Sequence, residues 1–177
     1  MGTPYQKDLK ILEGAIKMEE DGRKFYLKAS TVAKNEVARK LLVSLAEQEL
    51  IHIEKIRQIH DGLKAEKDWD DFGRRISSDA KKKLALVFGA VSASQKKNLR
   101  ADPSNIAAIK IAMKKEANSY DYYDKQSKAT DIRIAKVFYD RLKKEEEHHY
   151  ELLEEAYSLL ADTESWYVKT EGWVVEG

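Results

Sequence analysis

Apolar residues recur at steps of three and four along four stretches of the chain, which is the spacing of amphipathic α-helices. The predicted helices cover about residues 6–33 and 36–62, a third stretch that starts after Asp102-Pro103-Ser104, and a fourth that opens at Asp131. Pro103 suits the first turn of a helix, and Asp131 is a residue type that caps helix N-termini. The pattern therefore predicts an all-α protein.

The connections between the predicted helices differ in length, and this difference predicts the topology. Short turns near residues 34–35 and 129–131 make helices one and two, and helices three and four, antiparallel hairpins. Residues 63–102 separate the hairpins, and residues 84–91 are expected to form a short helix across the bundle. A crossover this long lets helix three run parallel to helix two, as in ferritin-like four-helix bundles.

Residues of the same type recur 97 positions apart in the two halves of the chain. Each half offers one Glu in its first helix and a Glu-x-x-His in its second; the six residues are Glu19, Glu49, His52, Glu116, Glu146 and His149. Two Glu helices and two Glu-x-x-His helices supply the inward-facing ligands of di-iron and di-manganese carboxylate bundles. We therefore predict these six residues to be the ligands of two metal ions.

The predicted turns place the four Glu residues at one depth. Glu19 and Glu49 are centred on residue 34, and Glu116 and Glu146 on residue 131, so each pair is symmetric about its turn. Because the rise per residue is constant at about 1.5 Å, each hairpin holds its two carboxylates at one height. Parallel second and third helices then bring both pairs into register, and each His lies one turn beyond its Glu on the same face.

The residue types favour iron or manganese. Four ionised carboxylates in a weakly solvated interior are unfavourable by roughly several kcal/mol per ion. Two divalent cations, each with one neutral imidazole, balance that charge. Oxygen-rich ligation with one nitrogen per ion favours iron, with manganese as the alternative, over zinc.

A second Glu-x-x-His, Glu145 with His148, lies one position out of register. We prefer Glu146 because Leu142 precedes it by four positions, just as Leu45 precedes Glu49, which places both on the apolar face. His148 is then expected to point outward or sideways. His60 has no predicted partner.

Two further pairs share the same offset. Tyr26 and Tyr123 lie two turns beyond their Glu residues; they are either core aromatics or hydrogen-bond donors to ligand carboxylates, and the two roles are compatible. Gln48 and Glu145 precede the Glu-x-x-His glutamates, and each is placed to orient a histidine of the facing helix.

Composition narrows the class of protein. The 177 residues suit one domain, residues 1–177, with an aromatic tail at about 162–177. A net charge of +1 argues against nucleic-acid binding, and the absence of Cys excludes disulfides and thiolate metal sites. No secretory signal or membrane-spanning apolar run is visible, so we expect a cytoplasmic protein without a membrane partner.

Together the motifs resemble the rubrerythrin branch of the ferritin-like superfamily over about residues 9–167. The resemblance is carried by Glu19-Glu-Asp-Gly-Arg-Lys-Phe-Tyr26, Glu49-Leu-Ile-His52, Glu116 with Tyr123, Glu146-Glu-His-His149 and the Trp-rich tail Trp166-Tyr-Val-Lys-Thr-Glu-Gly-Trp173. It implies a non-haem di-iron centre that reduces hydrogen peroxide or dioxygen and is re-reduced by electron transfer.

Two departures from the family pattern bear on function. Full-length rubrerythrins carry a four-cysteine rubredoxin-like domain, and this chain has no Cys, so an external donor such as a rubredoxin-like protein is expected. The family also has a ligand Glu three positions after the third-helix Glu, and here that residue is Ser119. The remaining set resembles a bacterioferritin ferroxidase centre. Ferroxidase or iron-binding activity and a metal-free helical interaction module are therefore alternatives, and a homodimer, domain-swapped or not, is expected.

Overall fold

The computed structural model describes residues 4–72 and 103–161, and four long helices fill most of both ranges. The helices are α1 (Gln6–Val32), α2 (Glu36–Lys64), α3 (Pro103–Ala129) and α4 (Arg133–Ala161). A 3₁₀ turn, Trp69–Phe72, follows α2. The all-α prediction is confirmed, whereas the expected helix at 84–91 and the aromatic tail lie outside the described residues.

Local polar contacts set two of the helix starts. The Asn35 side chain accepts hydrogen bonds from the backbone N–H groups of Val37 at 2.8 Å and Ala38 at 3.2 Å, so it caps α2 as N-cap residues do. The prediction that helix four opens at Asp131 is wrong by two residues. There the Thr130 hydroxyl accepts from the N–H of Ile132 at 3.2 Å, and the chain enters the helix only afterwards.

The helices pack as two antiparallel hairpins, α1 with α2 and α3 with α4. Within the described ranges three side-chain hydrogen bonds join α1 to α3: Tyr26 donates to Glu116, Tyr123 to Glu19, and Tyr122 to the Ile11 carbonyl at 2.7 Å. Since the later residue of α1 pairs with the earlier residue of α3, these helices are antiparallel. α2 therefore runs parallel to α3, and the ferritin-like topology is confirmed.

Two apolar clusters fill the bundle on either side of its middle. One contains Leu41, Leu45 and Leu153, and the other contains Leu12 and Leu142 together with the aromatic residues of the 3₁₀ turn. Leu45 and Leu142 expose 0 % and 2 % of their surface, so the layers next to the middle exclude water. Within the described ranges, no helix combines the length and apolar character that crossing a bilayer requires.

Candidate metal centre

The six predicted ligand residues meet between the two apolar clusters. Each helix contributes from its middle, one Glu from α1 and one from α3, and a Glu-x-x-His from α2 and α4. None of the six exposes more than 3 % of its surface. The convergence that the constant offset predicted is therefore present in the fold.

The six side chains form two overlapping groups of four. Within each group, one ligand atom per residue lies within 4.8 Å of the others; the groups are Glu19, Glu49, His52 and Glu146, and Glu49, Glu116, Glu146 and His149. Glu49 and Glu146 belong to both groups, whereas each group has its own Glu and its own His. Either group could hold a metal ion, and the two groups have the Glu49 and Glu146 carboxylates in common.

Both imidazole rings present Nδ1 to the carboxylates. His52 Nδ1 lies 3.1 Å from Glu146 Oε1 and 3.4 Å from Glu19 Oε2. His149 Nδ1 lies 3.4 Å from Glu116 Oε2 and 3.8 Å from Glu146 Oε2. The two rings stack with centroids 5.5 Å apart and planes 17° apart. Each ring thus faces one of the two groups.

The other nitrogen of His52 is held from the facing helix. Its Nε2 lies 2.7 Å from Glu145 Oε2, and Lys55 Nζ approaches the same oxygen at 3.5 Å. Metal-ligating histidines typically have their second nitrogen fixed by such a partner. Gln48 is buried at 1 % exposure, but its Oε1 accepts no hydrogen bond from residues 4–72 or 103–161, so its predicted role at His149 stays a prediction.

Two buried tyrosines hold the carboxylates that are not shared. Tyr26 donates to Glu116 Oε1, and Tyr123 donates to Glu19 Oε1, so each hydroxyl crosses to the Glu of the other hairpin. Burial raises the pKa of both tyrosines well above its usual range, and the carboxylate that each contacts raises it further. Both hydroxyls therefore remain protonated donors.

Crowding shifts the pKa values of the carboxyl groups apart. Burial raises the pKa of Glu49 well above its usual range, and the nearby Glu19 carboxylate adds to the effect. Burial and the neighbouring Glu146 raise the pKa of Glu116 to about 8. Burial acts on Glu146 in the same direction, but the neighbouring histidines, His149 first, outweigh it and hold its pKa well below the usual range.

Burial lowers the pKa of the two histidines, and the neighbouring carboxylates raise it. Burial lowers the pKa of His149, but the adjacent Glu116 and Glu146 outweigh it and raise the value to about 9. Burial likewise lowers the pKa of His52, while Glu145 and the cluster carboxylates raise it well above its usual range. Without cations, protons on these groups balance the charge, and bound cations displace them.

Several polar atoms of the cluster are buried without a hydrogen-bond partner among the described residues, and such atoms are available to bind metal ions. Within the described ranges, five buried cluster atoms make no hydrogen bond of acceptable geometry, although charged or polar groups of the cluster lie close to them: Glu49 Oε2, Glu116 Oε2, both oxygens of Glu146, and His149 Nδ1. Buried polar groups without partners are rare in folded proteins. All five belong to the two groups of four, and lone pairs directed at a common centre are what divalent cations require. The residues therefore fit two cations.

His148 and His60 lie outside the cluster. The His148 side chain is 30 % exposed, and its Nδ1 lies 3.4 Å from Glu151 of the same helix, in agreement with the preferred register. His60 does have partners, contrary to expectation: its Nδ1 lies 2.9 Å from Asp61 Oδ1, and its Nε2 lies 3.5 Å from Glu13. Sequence reasoning also missed a cavity beside Glu49, which is described below.

Comparison with known proteins agrees with the geometry. The Rubrerythrin family model matches residues 10–157, which include all six converging residues and both tyrosines. Searches of curated proteins and of solved structures gave no match. Because the family match covers most of the chain, this protein belongs to the rubrerythrin family.

Proposed function

We propose that the cluster binds two iron ions and that the protein is an oxidoreductase that reduces hydrogen peroxide or dioxygen. The observation that carries this proposal is the pair of overlapping groups that share Glu49 and Glu146. Two Fe(II) ions held by the six residues of the cluster would supply one electron each; with two protons these electrons would reduce hydrogen peroxide to two water molecules, or dioxygen to hydrogen peroxide, without release of a radical. Manganese is the alternative metal.

The protein's own residues fix the geometry of the site and limit the access of water along the bundle axis. The tyrosine hydroxyls hold the outer carboxylates, and Glu145 holds the His52 ring, so ligand positions are set before substrate arrives. The apolar layers that contain Leu45 and Leu142 close the bundle above and below. Closing the bundle along its axis limits the entry of bulk water and, with it, side reactions.

The proposal also covers the electron donor, the cellular compartment and the oligomeric state. We propose that electrons come from an external donor such as a rubredoxin-like protein, because these 177 residues contain no Cys with which to bind a rubredoxin-type iron. We further propose that the protein acts in the cytoplasm as a homodimer. Sedimentation of the purified protein tests the dimer.

A ferroxidase is the second candidate, because Ser119 stands where the family has a further ligand Glu and the remaining set is four Glu and two His. A ferroxidase that stores iron needs a closed cage and more than two irons per chain. Particle mass and iron stoichiometry after aerobic loading distinguish the two candidates.

The direct test is anaerobic Fe(II) loading followed by stopped-flow addition of peroxide. We expect rapid oxidation in the wild type and slow oxidation in the His52→Ala/His149→Ala variant. His148→Ala is the matched control, because this half-buried histidine lies outside the cluster and next in sequence to a ligand, so its loss should leave the rate unchanged. Wild-type oxidation no faster than that of the double variant would refute the proposal.

A further inference from the structure

A cavity of about 180 Å³ lies against the cluster, between α1 and α3. Its floor is formed by buried groups, among them Tyr26 and Glu49, and its rim by the exposed or half-buried residues Asp21, Lys115 and Asn118. The volume is far above the ~15 Å³ that one water molecule needs. The cavity thus connects the surface to a carboxylate of the cluster.

Most of the cavity lining comes from equivalent sequence positions in the two halves of the chain. Six of its eight lining residues form three pairs at the offset of 97 positions, namely Met18 with Lys115, Asp21 with Asn118, and Gly22 with Ser119. The carboxylate at its floor, Glu49, belongs to both groups of four. A molecule that reaches Glu49 by this path therefore reaches both cation positions together.

Two small residues keep the floor open. A Cβ atom at position 22 would lie 3.5 Å from Glu49 Oε1, so the absence of a side chain leaves this carboxylate facing the cavity. At the equivalent position in α3, Ser119 is 9 % exposed and carries only a hydroxymethyl group. The other oxygen of the same carboxylate, Glu49 Oε2, is buried and has no hydrogen-bond partner among the residues that the structure describes.

We propose that this cavity is the path by which a small uncharged oxidant of the size of hydrogen peroxide reaches the cluster, and that Gly22 and Ser119 are the residues that determine access. The proposal rests on the proposed function and names the route of its substrate. The rim combines one carboxylate, one ammonium and one amide, so its formal charge sums to zero. A rim of this kind offers no net attraction to a hydrated divalent cation. Lys115 Nζ lies 5.4 Å from the Phe25 ring centroid, so the ammonium stays at the rim.

Nitric oxide is a suitable probe, because it is small and uncharged and its binding to Fe(II) is read optically without turnover. The measurement is the association rate of nitric oxide with the anaerobic Fe(II)-loaded protein. Ser119→Leu places a branched apolar side chain in the cavity, and we expect association to slow by about tenfold, the equivalent of ~1.4 kcal/mol. Ser158→Leu, the same change at an exposed position of α4, should leave the rate unchanged.

A graded variant keeps the test decisive if Ser119→Leu fails to load metal. Gly22→Ala adds one methyl group at an ordinary contact distance from Glu49, so it should load normally and slow association to a lesser extent. Rates equal to that of the wild type in the variants that load would overturn the proposal.

The access route and the proposed function can fail separately. Slowed nitric oxide binding in Ser119→Leu together with no peroxide reaction in the wild type would support the route and refute the function. A rapid peroxide reaction that is insensitive to both substitutions would support the function and refute the route. A wild-type protein that binds no Fe(II) overturns both.

Discussion

Replacing Glu116 by Gln should change stability in opposite directions in the metal-free and metal-loaded protein. The substitution keeps size and shape, and its side-chain oxygen can still accept the Tyr26 hydroxyl. What it removes is one ionisable group from a set of buried carboxyl groups. In the metal-free protein that group is crowded, whereas in the loaded protein it is a ligand.

The magnitude follows from the pKa of Glu116, which folding raises from 4.5 to about 8. At pH 7 the folded chain keeps this carboxyl protonated, although pH 7 lies about 2.5 units above its pKa of 4.5 in the unfolded chain. At ~1.36 kcal/mol per unit, this lowers the free energy of unfolding by roughly 3 kcal/mol. The variant does not recover all of this free energy, because the substitution also removes a neighbour that stabilises the charged form of His149. We therefore expect metal-free Glu116→Gln to be more stable than the wild type by about 1–3 kcal/mol.

The pH dependence has a definite sign. Below pH 4.5 the carboxyl is protonated in folded and unfolded chains alike, so the variant gains nothing. Between pH 4.5 and about 8 only the unfolded chain releases the proton, so wild-type stability falls relative to the variant as pH rises. In the loaded protein, an affinity loss of about 100-fold would cost about 2.7 kcal/mol in excess metal.

Urea unfolding of both forms at several pH values measures these differences. Glu147→Gln is the matched control, because Glu147 is exposed and lies beside a ligand in sequence; it should change either form by less than about 0.5 kcal/mol. A destabilised metal-free Glu116→Gln protein at pH 7, or a loss of the same sign in both forms, would refute the reasoning.

Three further predictions concern the ligands and their supports. Glu145→Gln leaves His52 without its carboxylate partner, so metal affinity should fall about 10- to 100-fold in a chelator competition. Tyr26→Phe removes the donor that holds Glu116, and metal affinity should fall by about 1.5–3 kcal/mol, measured in the same competition. Metal loading at pH 7 should release protons, because His149 with a pKa of about 9 is charged before loading; calorimetry in buffers of different ionisation enthalpy detects this, and loading without proton release would contradict it.

Much of the site could be predicted because its chemistry repeats in the sequence. The constant offset identifies the six residues, and the apolar register of Leu45 and Leu142 selects His149 over His148. Because each pair of Glu residues is symmetric about its turn, the four carboxylates are expected at a common depth in the bundle. These arguments need only helix periodicity, which the sequence shows directly.

What could not be predicted depends on distances between helices. The offset relates Gln48 to Glu145 and predicts the same role for both, yet only Glu145 has a histidine partner in the described ranges. The cavity exists because α1 and α3 leave a gap beside Gly22, and periodicity carries no information about such a gap. The α4 start was misplaced because Asp131 is a capping residue type, whereas the Thr130 hydroxyl accepts the N–H of Ile132 and the helix begins only at Arg133.

The most direct test of the account is the number and position of bound metal ions. Anaerobic Fe(II) titration, followed by anomalous diffraction at the iron edge, should find two ions per chain. Each ion should contact one histidine, and Glu49 and Glu146 should contact both. A single ion per chain, or ions bound away from these residues, would contradict the account.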